Sequence, residues 1–406
     1  MQIDFHYYAT YCAACLAGYS HEECLAICYS AQFTDCCTRT LLSTIGGPSE
    51  AATTQLQLEM MDARTDILGL QDITRIWASF HFLPKDLKAE TEGTRFYKAK
   101  YRLICGPNGD LLAKTVELAK DKSLQAAGIA MHVLADTWAH QYFAGTPSQV
   151  INNTDYWFYE LIPAAKDSGD GEESGNSAGG GDAKDGFTER RITFRHNPTE
   201  KDDLEKGHFT NTVYQLRESS VMSLGHGRAG HLPDYSFMRY RYLPAWGKYG
   251  EFIKDNPSDY YKAFGQMVYA MRYLRGDYET FETDHYDTEK VGPYEEEIRE
   301  ILEKRQLDSC ADWKAFGEKL SGCEIPDFDA GRYCAEYKKA PKDEKDDTFL
   351  GNYIDAALAQ KTMVARQIYD SGNLLAGYSV KYGESRFLGI RDFIHYVENK
   401  MKKGNS

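Results

Sequence analysis

Long apolar runs are missing from this 406-residue sequence. None approaches the roughly 20 residues that cross a bilayer, which excludes a helical membrane span. The opening MQIDFHYY lacks a basic n-region and an apolar h-region, so no secretory signal is read there and a cytoplasmic location is expected. Positive charge is also short: 47 Lys and Arg against 61 Asp and Glu leave a net charge of −14. That balance disfavours a broad electrostatic grip on nucleic acid or on an anionic membrane. It leaves room for a local cationic site made by bound metal ions. No internal repeat is present. The acidic residues of the Gly- and Ser-rich stretch at about 163–188 lack EF-hand spacing, so it reads as a flexible insertion.

Cysteine is present but uneven, with Cys12, Cys15, Cys24, Cys28, Cys36 and Cys37 close together. Cys12-x-x-Cys15 has the spacing of a metal or redox motif. It sits in a helical stretch without the turn residues of a zinc knuckle, and in a reducing compartment these thiols read as small core residues.

What the sequence does have is core material, 42% hydrophobic with 29 Tyr, and periodicity that is mostly helical. Residues 4–18 and 21–33 form a helical hairpin, with Ser20 and Glu23 as a capping box. Further helices are expected at 49–61, 110–120, 123–145, 259–274, 293–304, 309–320, 352–372 and 385–402. An extended or irregular segment is expected at 74–84, a strand at 95–104, partly extended chain at 209–218, and a solvated linker at 338–347. The fold class is therefore mainly α with a few short strands. Residues 1–250 form a metal-binding domain and 251–406 a helical C-terminal region packed on it.

The stretch SLQAAGIAMHVLADTWAHQYFAG, residues 123–145, carries the chemistry. His132, Asp136 and His140 recur every four residues and share one face of a helix that is apolar nearly all round. Buried imidazoles and a carboxylate are costly without a partner, and a metal suits this set. His132 and His140 start about 12 Å apart along the axis, too far for one ion, so two ions with Asp136 shared between them are expected. The hairpin brings Asp4 and His6 to the same end as Asp35. His81 lies in a Trp/Phe-rich segment, and a Gly-punctuated loop holds His226, His231 and Asp234. All are oxygen or nitrogen donors, which suits Zn, Mn or Fe better than a thiolate site. Arg228, Arg239 and Arg241 are candidate phosphate contacts, and Tyr235, Phe237 and Tyr242 candidate stacking surfaces.

The order His6, Asp35, His81, His132-x-x-x-Asp136, His140 and a late His/Asp pair resembles the zinc-dependent phospholipase C and single-strand nuclease superfamily. The motifs IDFHYY, YSAQFTD, HVLADTWAHQ and GHGRAGHLPD also look like those of an uncharacterised bacterial family, over roughly residues 1–250. The superfamily resemblance implies a mainly helical fold and two or three zinc ions that hydrolyse a phosphate ester. Carried over, Asp35, His81, His132 and Asp136 hold the paired ions, His6 helps hold a further one, and His140 with the late pair holds the remaining one. Members of that superfamily ligate zinc through a processed N-terminal residue; here either Asp4 supplies the missing ligand or the third ion is absent. The substrate classes implied are a small phosphate ester, a phospholipid headgroup or a nucleotide. Two other readings stay open: a helical protein whose metals only staple the fold, and a metal-dependent hydrolase of another bond such as an amide.

Overall fold

Ser123 starts the central helix, its hydroxyl accepting the Ala126 N–H at 3.3 Å, and the helix runs Leu124–Ala139. In this computed structural model, which describes residues 1–63, 67–89, 101–155, 157–163, 186–195, 202–210, 224–247, 250–373 and 375, every residue from Ala127 to His140 is buried. The periodicity expected as much, because no face of this helix carries enough polar surface to be left in water.

The N-terminal hairpin packs against it. Its first arm is a π-helical turn, Asp4–Ala9, continuing as Thr10–Leu16. Its second, His21–Phe33, begins at the expected Ser20/Glu23 capping box. This second arm and the central helix meet at Gly128, where an added Cβ would lie 2.4 Å from the Ile27 carbonyl oxygen and 2.6 Å from Ser30 Cβ. That approach sets the distance between the hairpin and the ligand-bearing face. Gly128→Ala is therefore expected to cost about 1–3 kcal/mol by overpacking, seen as a lowered thermal midpoint; an unchanged midpoint would show that the contact is slack.

Helices Asn256–Arg275 and Phe349–Asp370 cover other sides of the central helix, and Cys310–Ser321 packs on the π-helical turn. Phe5, Ile27, Met131, Met267, Trp313 and Tyr353 share one hydrophobic cluster, so residues beyond 250 complete the core around the central helix. Four short strands form an antiparallel sheet in the order β2-β1-β5-β6: β1 Tyr159–Pro163, β2 Phe187–Arg191, β5 Arg239–Tyr242 and β6 Phe252–Asp255. The β1/β2 register runs from Tyr159 opposite Arg191 to Pro163 opposite Phe187. A separate parallel pair joins β3 Thr193–Arg195 to β4 His208–Thr210. The sheet backs a second aromatic cluster that includes Phe143, Phe158, Tyr240 and Tyr242.

Some local expectations give way. Residues 74–84 are mostly helical, within Ile67–Phe80. Ile73, Ile76, Trp77 and Phe80 fall at i, i+3, i+4 and i+7, a helical stripe that outweighs their β-branched and aromatic character. The helix expected over 49–61 is split into a 3-10 turn Ser49–Ala51 and a helix Gln57–Ala63. Between them Thr53 is tied to the hairpin end, its N–H on Cys37 O at 2.9 Å and its hydroxyl on Thr34 O at 2.7 Å. Most of the strand expected at 95–104 lies outside the described residues, and Ile104 makes only an isolated bridge with Ala144. The helix expected at 385–402 and most of the insertion also lie outside them, as do residues 211–223. Cys12, Cys24, Cys28 and Cys37 are free thiols in the core, and burial pushes Cys12 and Cys28 well above the usual thiol range. Among the described residues no helix is long and apolar enough to cross a membrane.

Candidate metal centre

The centre is built outward from Asp136, on the buried face of the central helix. Its Oδ1 lies 2.8 Å from the Met1 α-amino nitrogen and 3.1 Å from His6 Nε2. Its Oδ2 lies 3.2 Å from His132 Nε2 and 3.3 Å from His81 Nδ1. Asp35 closes the same end of the hairpin, with Oδ1 3.7 Å from His81 Nδ1 and 3.9 Å from His132 Nε2. One turn further along, His140 Nε2 is 3.3 Å from Asp234 Oδ1, which is 3.7 Å from His226 Nε2. Three groups have the spacing to hold a cation: His6, Asp35 and His132; His81, His132 and Asp136; His140, His226 and Asp234.

Backbone carbonyls orient three of the five imidazoles. A carbonyl only accepts, so the ring nitrogen facing it carries the proton and the other presents a lone pair. His81 Nε2–H donates to Thr53 O at 3.0 Å, His140 Nδ1–H to His81 O at 2.7 Å, and His226 Nδ1–H to Gly230 O at 2.7 Å. In each case the free nitrogen points into the centre, the outer hydrogen bond that metal-ligating histidines commonly make. The other two rings are stranded. His6 and His132 stack 3.9 Å apart, both wholly buried, and His6 Nδ1 and His132 Nδ1 have no hydrogen-bond partner. Buried polar atoms left this way are expensive. A divalent cation fits what is missing: borderline-soft nitrogen and oxygen donors, neutral rings, and clustered carboxylates.

The electrostatics agree with that fit. Burial pushes His6, His132 and His226 down to about 4, so at neutral pH they are uncharged, the form that ligates metal. Burial alone would raise Asp136, yet the His140 ring, the Met1 amine and the His132 and His6 rings together hold it well below the usual carboxylate range. Asp234 is held down in the same way, chiefly by His226 and the amine. Burial raises Asp35. The amine, which burial would lower, is raised to about 11 by Asp136 and Asp234. Three carboxylates against one ammonium leave the cluster net negative.

The loop carrying His226 and Asp234 is shaped by its glycines and by a distant asparagine. Gly225 sits at φ +55°, where an added Cβ would lie 2.2 Å from the Phe82 ring, and Phe82 in turn stacks on His140 at 4.7 Å. Asn256 Nδ2 donates to Leu232 O and Tyr235 O, each at 2.8 Å. Tyr260 donates to Pro233 O at 3.0 Å. The start of the helix beyond residue 250 therefore fixes the turn that presents Asp234.

Not every sequence candidate is brought to the centre. The Asp4 carboxylate instead accepts from Phe5 N at 2.8 Å and Ser309 N at 3.3 Å, and burial raises it to about 6. The Met1 ammonium, not Asp4, lies beside Asp136 and Asp234. His231 turns its Nδ1 to Asp234 Oδ2 at 3.1 Å and belongs to none of the three groups. Arg228 is buried in the loop. Arg239 pairs with Asp255 and Glu303, and Arg241 with Glu189 and Glu251, so both are engaged on the sheet. Tyr235, Phe237 and Tyr242 are core residues. Three contributors went unforeseen: the Met1 amine, the Thr53 carbonyl and Asn256. A terminal amine and a backbone oxygen leave no mark in a residue pattern, and Asn256 resembles an ordinary residue at a helix start.

No curated protein and no solved structure matches the chain significantly. One family profile matches residues 1–368, beyond the 1–250 over which the shared motifs were read, and the chain belongs to that family, DUF6765, a family of unknown function.

Proposed function

We propose that this protein is a metal-dependent hydrolase of phosphate esters, holding two or three divalent ions of the zinc, manganese or iron kind. The observation that carries the reading is that two adjoining His/Asp groups share His132 and that Asp136 reaches His6, His81 and His132 with its two oxygens, while His6 Nδ1 and His132 Nδ1 lack any hydrogen-bond partner. Asp136 Oδ1 faces His6 while Oδ2 faces His81 and His132, the disposition of a carboxylate between two cations. Ions bound there would supply Lewis acidity and activate water. The order of the ligands along the chain, which resembles the zinc-dependent phospholipase C and nuclease superfamily, supports the choice of a phosphate ester.

The chain's own residues orient and admit. Thr53, His81 and Gly230 carbonyls fix the rings, and Phe82 seals one side of His140. Access favours catalysis over a structural staple, because closed structural sites leave no open position. The Asp35 side chain is 32% exposed and that of His226 18%, whereas His6 and His132 are at 0%. Asp35 and His226 are thus where solvent reaches the cluster. The substrate there is a small phosphate ester, a phospholipid headgroup or a nucleotide.

A panel of phosphomonoesters, phosphodiesters, phospholipids, single-stranded nucleic acid and amides, assayed with metal-loaded and chelated protein, tests the proposal. Turnover of a phosphate ester that vanishes on chelation and returns with metal is expected. Turnover of amides alone, or loss of stability on chelation with no turnover of anything, would overturn it.

A further inference from the structure

A cavity of about 660 Å³ opens beside the sheet, lined by Lys85, Tyr101, Gln141, Tyr142, Trp246 and Phe252 among others. It shares no residue with the three His/Asp groups, although Tyr142 follows His140 by two positions. Its volume is that of a small-molecule site, and its wall has the usual make-up of one, aromatic with few polar groups. Trp246 and Phe252 stand edge to face at 5.0 Å and 87°. Tyr142 meets Phe252 at 4.9 Å and 77°. All four rings are only half buried and line the cavity.

Two features show that the wall is built for presentation. Tyr142 holds a left-handed backbone, φ +76°, a conformation that bulky side chains avoid. It is pinned there by its own N–H on Cys105 O at 3.1 Å and by Trp246 Nε1–H on its carbonyl at 3.2 Å. At the rim Lys85 is exposed and among the described residues its ammonium makes no ion pair, while the neighbouring Asp86, which also lines the cavity, accepts the Lys88 N–H on Oδ1 at 2.8 Å.

We propose that this cavity is a second ligand site, separate from the metal centre, which takes a planar aromatic anion: the ring lies among Tyr101, Tyr142, Trp246 and Phe252, and the negative charge sits at Lys85. Stacking and edge contacts hold the ring, and the exposed Lys85 ammonium selects the charge.

Fluorescence titration of the full chain with anilinonaphthalene sulfonate, and with uncharged phenylnaphthylamine as its counterpart, tests this. One saturable site per chain is expected for each probe. Trp246→Ala and Tyr142→Gly, the second of which also relieves the backbone, should each weaken both probes by about tenfold. Lys85→Glu should weaken the sulfonate by about tenfold and leave phenylnaphthylamine unchanged. Thermal midpoints of the variants confirm that each is folded. Binding that does not saturate, that survives all three substitutions, or that falls equally for both probes in Lys85→Glu would overturn the proposal.

Discussion

Asp136→Ala is expected to weaken metal binding by more than about a hundredfold, and to abolish turnover with it. Partners one layer outside a metal are already worth about 10–100-fold in affinity, and Asp136 is at the middle of the cluster, with one oxygen toward His6 and the other toward His81 and His132. The substitution also leaves the buried Met1 ammonium, 2.8 Å from Asp136 Oδ1, with Asp234 as its remaining close carboxylate. A fall in stability of about 3–5 kcal/mol follows from breaking a buried pair. His231→Ala is the contrasting variant. Its ring contacts Asp234 from outside and is 56% exposed, so metal affinity should fall by no more than the about 10–100-fold of a partner one layer outside a metal, short of the loss at Asp136. Titration of a metallochromic indicator with both variants checks the pair. Equal metal retention in Asp136→Ala and His231→Ala would contradict the arrangement.

How far the sequence foretold this arrangement depends on what kind of information each part needs. The central helix was legible because burial, periodicity and the four-residue spacing of His132, Asp136 and His140 all reside in side chains. The hairpin followed from Ser20, Glu23 and a short connection, and it delivers His6 and Asp35 to the same end of the central helix. His81 was identified as a residue, but the segment leading to it was read as extended or irregular where it is helical as far as Phe80, since Trp and Phe obscured a helical stripe. Asp4 was drawn in by its proximity in sequence to His6. The π-helical turn and the peptide groups of Phe5 and Ser309 take its carboxylate elsewhere. The sheet escaped notice because its strands are four or five residues long, too short for alternation to register. The dependence of Asp234 on Asn256 and Tyr260 is a tertiary fact with no local trace.

Acid should dismantle the centre in a defined window. His6, His132 and His226 are held at about 4 by burial, against about 6.5 in an unfolded chain. Between those values the unfolded chain takes up protons that the native protein does not, so native stability falls as pH drops. The contribution is complete above about pH 6.5 and is fully lost below about pH 4. Each ring accounts for roughly 3 kcal/mol at about 1.4 kcal/mol per pH decade. The three rings lie in one cluster, so their sum is an upper bound. Protons also compete with metal for the same lone pairs, and metal release is expected across the same window. Denaturant unfolding of the metal-free protein at pH 7, 5.5 and 4.5, with metal release followed in parallel, checks both. A flat stability profile between pH 7 and 4.5 would mean that these rings are not held neutral in the native protein.

The central claim is that the carboxylates and imidazoles around Asp136 are ligands. Elemental analysis of the full chain, purified without chelator and dialysed free of loose ions, tests it most directly. The account predicts about two or three tightly held divalent ions per chain. Protein that carries no stoichiometric metal, and takes up none when zinc, manganese or iron is supplied, would contradict it.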